Sequence, residues 1–567
     1  MANRYWVGGR GTWTSTSHWS TTSGGSSGAS VPTATDDVYF NSSSGFGAGY
    51  AYVSMVNDVT INSFNVAMSV TTRPIFWKSD AGAQLTITAA TVSLAYVDFQ
   101  DIKGSGAAAP FTGTSIGDGG NCSGITFTAP TTRYWIGNAG SWEDPTHWSE
   151  TSGGTAGTAI PLPQDNCIFD ENSFTLTEQL ITIENWYILY CTDIDFRDVT
   201  NNPIFGDGSG SQRGSLYLSE NMTLQQSERF GWSYYFDLRD GDAYLLSAGH
   251  KITALIIYGA GNNSGKLVLS DDLLITKYGV NIYSADFDAN GHNVTLGILG
   301  LDDSVGISIY GDSNYCPGGL CNFNMGSGTW YMYDNSSLAF YDGTTVLGSN
   351  ANIVSETTVD GMDLYSDVSV TINNFTYTGH PEQHDQLYIS GTLGWTFNNF
   401  TLNGSDYEVY IDDPGITVSG TFSANGLPGA QIYIEGDNSS DSIITAASTS
   451  LSYLYVSYLG AAGVAVPFDA RTGCDYGTDI IADQWLFEFP GTTISSSTVT
   501  YSTISSSISS SISLSVSVST SSSTRSISSS SSSISTSTTM LMDSVGPNPH
   551  KTRSSTETSP KPMKIIR

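Results

Sequence analysis

The chain has 567 residues, of which 13% are charged and 12% aromatic, and its formal net charge is −33. The segment after Pro490 is itself +4, which leaves −37 on residues 1–490. A body this acidic repels nucleic acid and anionic membranes at close range. No uninterrupted apolar run approaches the roughly 20 residues of a membrane helix, so neither nucleic-acid binding nor membrane insertion is expected.

The N-terminus, Met1-Ala2-Asn3-Arg4, has neither the basic n-region nor the apolar h-region of a secretory signal. Synthesis and folding in a cytoplasm are therefore expected, and the many Asn-x-Ser/Thr sequons are not expected to carry glycans. Next comes a stretch, Arg4 to Asn41, that recurs from Arg133 to Asp170 without a gap, at an offset of 129 and with identity at 17 of 38 positions. The identities include Trp6/Trp135, Trp13/Trp142, His18/His147, Trp19/Trp148, Pro32/Pro161 and Asp36/Asp165. One compact module is used twice. Its tryptophans are expected to cover the open end of a sheet stack, where unpaired backbone edges would otherwise invite aggregation.

Beyond each module the chain reads as short strands and turns. Alternation of the kind in Leu216-Tyr217-Leu218 and Lys266-Leu267-Val268-Leu269 recurs, whereas apolar residues at i, i+3, i+4 and i+7 do not. The pattern Thr60-Ile61-Asn62-Ser63-Phe64-Asn65 returns at Thr371-Ile372-Asn373-Asn374-Phe375-Thr376 and, 25 residues later, at Thr396-Phe397-Asn398-Asn399-Phe400-Thr401. Phe287-Asp288-Ala289-Asn290-Gly291 matches Phe422-Ser423-Ala424-Asn425-Gly426, and the Asn-Gly pairs are expected to supply the positive φ of a tight turn. A period of ~20–30 residues carried by strands and turns marks a solenoid whose coils bury their faces on one another. The expected fold is thus all-β: an elongated β-solenoid resembling a parallel β-helix, with two Trp/Gly-rich capping modules and a low-complexity Ser-rich tail.

Ser93–Ile102 and Ser450–Leu459 look alike, and each is followed by a Gly/Ala loop and Pro-Phe. Both are expected to close a unit. The domains are then 1–130, a capping module with a short solenoid; 131–490, a capping module with a long one; and 491–567, a Ser/Thr-rich tail with a basic C-terminus. At about 25 residues per turn and ~4.8 Å per turn, residues 131–490 would extend on the order of 70 Å. In the tail, Ile504, Ile508, Ile512, Leu514, Val516 and Val518 all fall at even positions, so sister chains could pair there, although the composition is that of a flexible linker.

The residues that might carry chemistry are few. Asp237, Asp240 and Asp242, beside Trp232, Tyr234 and Tyr235, are the candidates for a carboxylate pair next to sugar-binding aromatics. Acids are abundant enough for solvated turns to explain them. Asp240-Gly241-Asp242 lacks the regular oxygen spacing of a calcium loop. Cys316 and Cys321 flank a tight turn without a second Cys/His pair at zinc spacing, so no metal site is expected among the six cysteines. His18 and His147 read as structural hydrogen-bonding groups. No phosphate loop, dinucleotide fingerprint or nucleophile elbow is present, and no cofactor is expected.

The sequence Tyr-Trp-[Val/Ile]-Gly, then Trp, His-Trp-Ser, Ser-Gly-Gly, Pro and Asp-[Asp/Asn], with its downstream Thr-[Ile/Phe]-Asn-Asn-Phe-Thr coils, resembles phage virion proteins of the tail-fibre type over most of residues 1–490. The opening is also similar to the entry of β-helical passenger regions in bacterial autotransporter adhesins, although no secretion signal or closing membrane barrel accompanies it here. The resemblance implies a non-enzymatic structural protein of a phage particle, assembled in the host cytoplasm. Its partners would be other virion proteins, a cell-surface polysaccharide and, through the tail, sister chains. A tailspike-like depolymerase and a bacterial surface adhesin are the alternatives.

Overall fold

The structure is a computed structural model that describes residues 2–487 except 48–50, 79–82, 158, 183–187, 206–214, 225–228, 231–232, 239–240, 260–264, 300–304, 311–319, 359–360, 381–385, 413, 438–441 and 478–483. The Ser/Thr-rich segment 491–567 lies outside the described residues. The chain is 55% strand and 1% helical and winds as a β-solenoid of about 14 turns. Its first compact unit runs from Met1 to Thr492.

Each coil follows from period-2 patterning, because alternate side chains of a strand point to opposite faces. In Val305–Tyr310 the residues Val305, Ile307 and Ile309 are buried, while Gly306, Ser308 and Tyr310 are partly exposed. Three strands make a coil. On the first face Lys266–Leu269, Asp286–Asp288, Cys321–Asn324 and Thr344–Leu347 pair in parallel. On the second face Val294–Leu296, Thr329–Tyr333 and Asn352–Glu356 do so. On the third, Val305–Tyr310, Ser336–Phe340 and Met362–Ser366 stack likewise.

From Val370–Gly379 onward one long strand covers the first two faces. The repeated motif falls in register there: Thr371 pairs with Thr396, Ile372 with Phe397, Asn374 with Asn399, Phe375 with Phe400 and Thr376 with Thr401. The asparagines form an amide ladder, with Asn374 Nδ2 donating to Asn352 Oδ1 at 2.7 Å and Asn399 Nδ2 to Asn374 Oδ1 at 2.8 Å. The 25-residue repeat is one coil.

The two Asn-Gly sites differ. Asn290 and Gly291 have φ of 52° and 81°, as expected for the turn. Asn425 and Gly426 do not take positive φ. Asn425 ends the strand Ile416–Asn425, and a Cβ on Gly426 would stand 2.4 Å from the Tyr453 carbonyl oxygen. At that site glycine answers a close approach instead of a backbone angle.

The two Trp/Gly-rich modules share the same strand pairing. Asn3–Trp6 pairs in parallel with Asp37–Phe40 on one side and antiparallel with Trp19–Ser20 on the other; Thr132–Trp135 has the same neighbours in Asn166–Ile168 and Trp148–Ser149. The antiparallel strand ends the parallel column. Trp6, Trp13 and Trp19, and likewise Trp135, Trp142 and Trp148, are buried and plug the first coil edge to face.

The closing segments also match, 357 residues apart. Tyr96 and Tyr453 have φ of 56° and 53°, Asp101 and Tyr458 of 56° and 51°, and Phe111 and Phe468 are both buried. Positive φ is uncommon in residues other than glycine, so its recurrence at equivalent tyrosines marks the same corner twice. Each solenoid therefore opens and closes with its own copy of the same pair of modules. Their apolar cores are separate, one running from Trp6 to Ile116 and the other from Trp135 to Phe487. Between them Gln164 forms a polar key: its Nε2 donates to the carbonyls of Thr128 (2.8 Å) and Ile116 (3.2 Å), and its Oε1 accepts the Asp118 N–H (2.9 Å).

Candidate ligand-binding surfaces

Of the residues singled out from sequence, Trp232 and Asp240 lie outside the described residues, as do the side chains of Tyr234, Tyr235 and Asp237. The backbone Ser233–Asp237 forms a third-face strand in which Tyr234 pairs with Leu216 and Leu255, and Asp237 with Tyr258. Asp242 is exposed and accepts the Lys266 N–H at 3.0 Å, so it ties one coil to the next. Trp330 and Trp395, whose orientation alternation alone leaves open, are both core residues. Cys316 lies outside the described residues, and Cys321 is a buried thiol that burial pushes up to about 11. Among the described residues no group of three His, Cys, Asp or Glu side chains is arranged to hold a metal.

The duplicated histidines are built into the capping modules. His18 lies flat on Trp6 (4.7 Å, 10°) and His147 on Trp135 (4.8 Å, 8°). Their Nδ1 atoms stand 3.1 and 2.9 Å from the carbonyls of Val7 and Ile136, which makes each Nδ1–H the donor. Gly11 and Gly140 leave room for the rings: a Cβ there would come within 2.1 and 2.0 Å of the imidazole Nε2. This arrangement fixes a turn.

The outer surface of the third face carries a tyrosine stack. Tyr258, Tyr283, Tyr310, Tyr341 and Tyr365 follow one another over five coils, with ring centroids 5.2, 5.1, 4.5 and 5.4 Å apart. Rings packed this way spend their faces on each other and present edges and hydroxyls to solvent. The row is therefore a hydrogen-bonding strip and does not offer a stacking platform for sugar rings. The Tyr365 hydroxyl donates to Asp367 at 2.8 Å. Burial, the phenols of Tyr310 and Tyr365 and the Asp367 charge push Tyr341 up to about 12. Burial and Asp367 push Tyr365 to about 12. Further along, Tyr388 stacks near Tyr410 (5.7 Å) and Tyr433 near Tyr455 (5.5 Å). Tyr410 donates to Glu408 at 2.9 Å, and burial together with neighbouring acids raises Tyr388 and Tyr410 as well.

A groove of about 620 Å³ runs along the corner between the first and second faces. Its wall consists of the corner loops of three successive coils, around Asn290-Gly291, Gly326-Ser327 and Gly348-Ser349-Asn350, and it ends at Thr371. It exists because the corner changes: from Ile372 to Asn374 the chain turns with no loop, and Asn373 N–H bonds directly to Ala351 O (3.0 Å). Asp288 is its single carboxylate, and Oδ1 already accepts Asn290 N–H and Asn324 Nδ2, each at 2.8 Å.

Neither surface was singled out from sequence. The stack has a signal in the repeated Ile-Tyr of Ile257-Tyr258, Ile282-Tyr283 and Ile309-Tyr310. The groove's signal is weaker, a shortening of the interval between first-face and second-face strands after Asn350. Compared with protein-family models, with curated proteins and with solved structures, the chain matches none.

Proposed function

We propose that the protein is a structural component of a phage particle, of the tail-fibre or host-adsorption kind, that engages cell-surface polysaccharide along the side of its solenoid. The observation that supports this best is the repetition of outward groups. In-register coils set tyrosine hydroxyls, asparagine amides and turn residues at ~4.8 Å steps, so a polymer with its own repeat meets many equivalent weak contacts, which multiply into avidity. Two self-closed solenoids in tandem extend that surface without requiring a catalytic centre. The groove fits binding better than cleavage, since a glycosidase needs two carboxylates ~5–9 Å apart and the groove has one, already engaged.

The test is to incubate the purified protein with polysaccharide extracted from candidate host cells, measuring co-sedimentation and reducing-end release together. Binding without release is expected. Release that disappears in an Asp237→Asn/Asp240→Asn/Asp242→Asn variant would replace this reading with a depolymerase, and absence of both would leave an architectural protein.

A further inference from the structure

We infer that the corner groove is a binding site for a neutral oligosaccharide and discriminates against acidic ones, an inference that rests on the polysaccharide-binding reading above. The groove spans four coils, or ~14 Å along the solenoid axis, so it admits a short stretch of a linear glycan. Its groups suit hydroxyl-rich neutral rings. Ser327, Ser349, Asn350 and Thr371 are exposed on its rim, and Leu347, 52% exposed, supplies an apolar patch for the C–H face of a sugar. Ligand pockets combine apolar area with a few placed polar groups in this way.

The floor is preorganised. Asn324 Nδ2 donates to Asp288 while its Oδ1 accepts Gly326 N–H (3.0 Å), and Asn290 Nδ2 donates to the Leu269 carbonyl (3.2 Å). These bonds fix the turns before any ligand arrives, so less ordering is left to be done on binding. Asn324 Oδ1, which accepts the Gly326 N–H, retains a second lone-pair site for a sugar hydroxyl.

Charge sets the selectivity. Between Tyr278 and Ala470 the sequence contains 21 Asp and Glu and not one Lys or Arg. The groove lies inside this interval, and its lining adds one carboxylate, Asp288, whose Oδ2 stands 3.7 Å from Lys266 Nζ of the preceding coil. A uronic, sialic or phosphorylated polymer would approach against a repulsive field in which the one neighbouring lysine is already paired with Asp288, whereas a neutral hexose or N-acetylhexosamine chain meets no such barrier.

The experiment titrates the full-length protein with a neutral probe set, linear hexose and N-acetylhexosamine hexasaccharides, and with hexagalacturonate as the acidic probe, by calorimetry and saturation-transfer NMR. Three variants accompany the wild type. Ser349→Trp fills the groove from an exposed loop, Leu347→Ala removes its apolar patch, and Val464→Ala changes a residue, 88% exposed, in the closing module away from both surfaces. The expected result is binding of a neutral probe, at least tenfold weaker with Ser349→Trp, several-fold weaker with Leu347→Ala and unchanged with Val464→Ala, with hexagalacturonate weaker than the neutral probes. Unaltered affinity in both groove variants, or preference for hexagalacturonate, overturns the groove while the polysaccharide-binding reading stands. Failure to bind any probe or any extracted host polysaccharide overturns both.

Discussion

Replacing Gly140 by alanine tests whether the capping module depends on the space that glycine leaves for a histidine. The added Cβ would lie 2.0 Å from Nε2, 2.4 Å from Cδ2 and 2.5 Å from Cε1 of His147, so the ring must leave. It would lose its stack on Trp135 and its bond to Ile136 O. The stack contributes ~0.5–1.5 kcal/mol, the hydrogen bond ~0.5–1.5 kcal/mol, and residual overpacking costs ~1–3 kcal/mol. A loss of about 2–6 kcal/mol in local stability is expected from these contributions. A repeat protein of this size does not unfold in one step, so a global melt would average the effect away. Native-state hydrogen exchange at the Ile136 amide, which bonds to the His147 carbonyl at 2.9 Å, reads it locally and should accelerate about 30-fold or more. In a His147→Ala background the same glycine change should do little, giving a coupling of at least about 1 kcal/mol. Equal acceleration in both backgrounds would refute the proposed steric dependence.

Two further outcomes follow from titratable groups. Burial by itself would raise the Asp36 carboxyl, but the N–H and hydroxyl of Thr33, the N–H of Ala2 and nearby Arg4 outweigh it and hold the pKa below its ordinary value. A depressed carboxylate contributes stability that is present above its unfolded pKa and lost as the pH falls through the folded one. Protection factors of amides in residues 2–41, corrected for the intrinsic exchange rate at each pH, should therefore fall on acidification below about pH 4, and Asp36→Asn should be less stable at neutral pH and lose that dependence. Tyr341 and Tyr365, both pushed up to about 12, work in the opposite direction. Their contribution is complete below pH ~10 and is lost as the pH rises through their folded values. A difference titration at the phenolate absorbance band between wild type and Tyr341→Phe/Tyr365→Phe should show two phenols ionising near pH 12 in the wild type; ionisation of both near pH 10 would contradict the half-buried stack.

The fold was legible because a solenoid writes its geometry into the chain at short range. The interval between Asn374 and Asn399 is one coil, and the gapless repeat of Trp6, Trp13 and Trp19 is a plug used twice. The likeness of Ser93–Ile102 to Ser450–Leu459 follows from a corner that places Tyr96 and Tyr453 at positive φ. The Asn-Gly pair at 425–426 was less legible, since a glycine required by a neighbouring coil looks the same in sequence as one required by a turn. The candidate surfaces were legible only in part. Whether Trp330 faces in or out depends on one residue of strand register, and the groove depends on where corner loops cease. Both are set by coil-to-coil stacking and not by any local motif.

That division between inner and outer positions bears on what the long solenoid is for. The inward residues of each strand are constrained by packing on the coils above and below, and most are apolar, as are Val294, Trp330 and Ile353 on one column. The outward residues are free of that demand, so a pattern among them needs another cause. An interval from Tyr278 to Ala470 with 21 acids and no Lys or Arg gains little in stability, because like charges on stacked coils repel and the interval itself supplies no Lys or Arg to offset them. The opening and closing modules answer the problem of exposed sheet edges, and so they recur at both solenoids whatever lies between. The coils between them are the part that differs, in number and in surface. On this reasoning the ends specify that the protein folds, and the lateral acids, tyrosine hydroxyls and corner loops of the long solenoid specify what it meets.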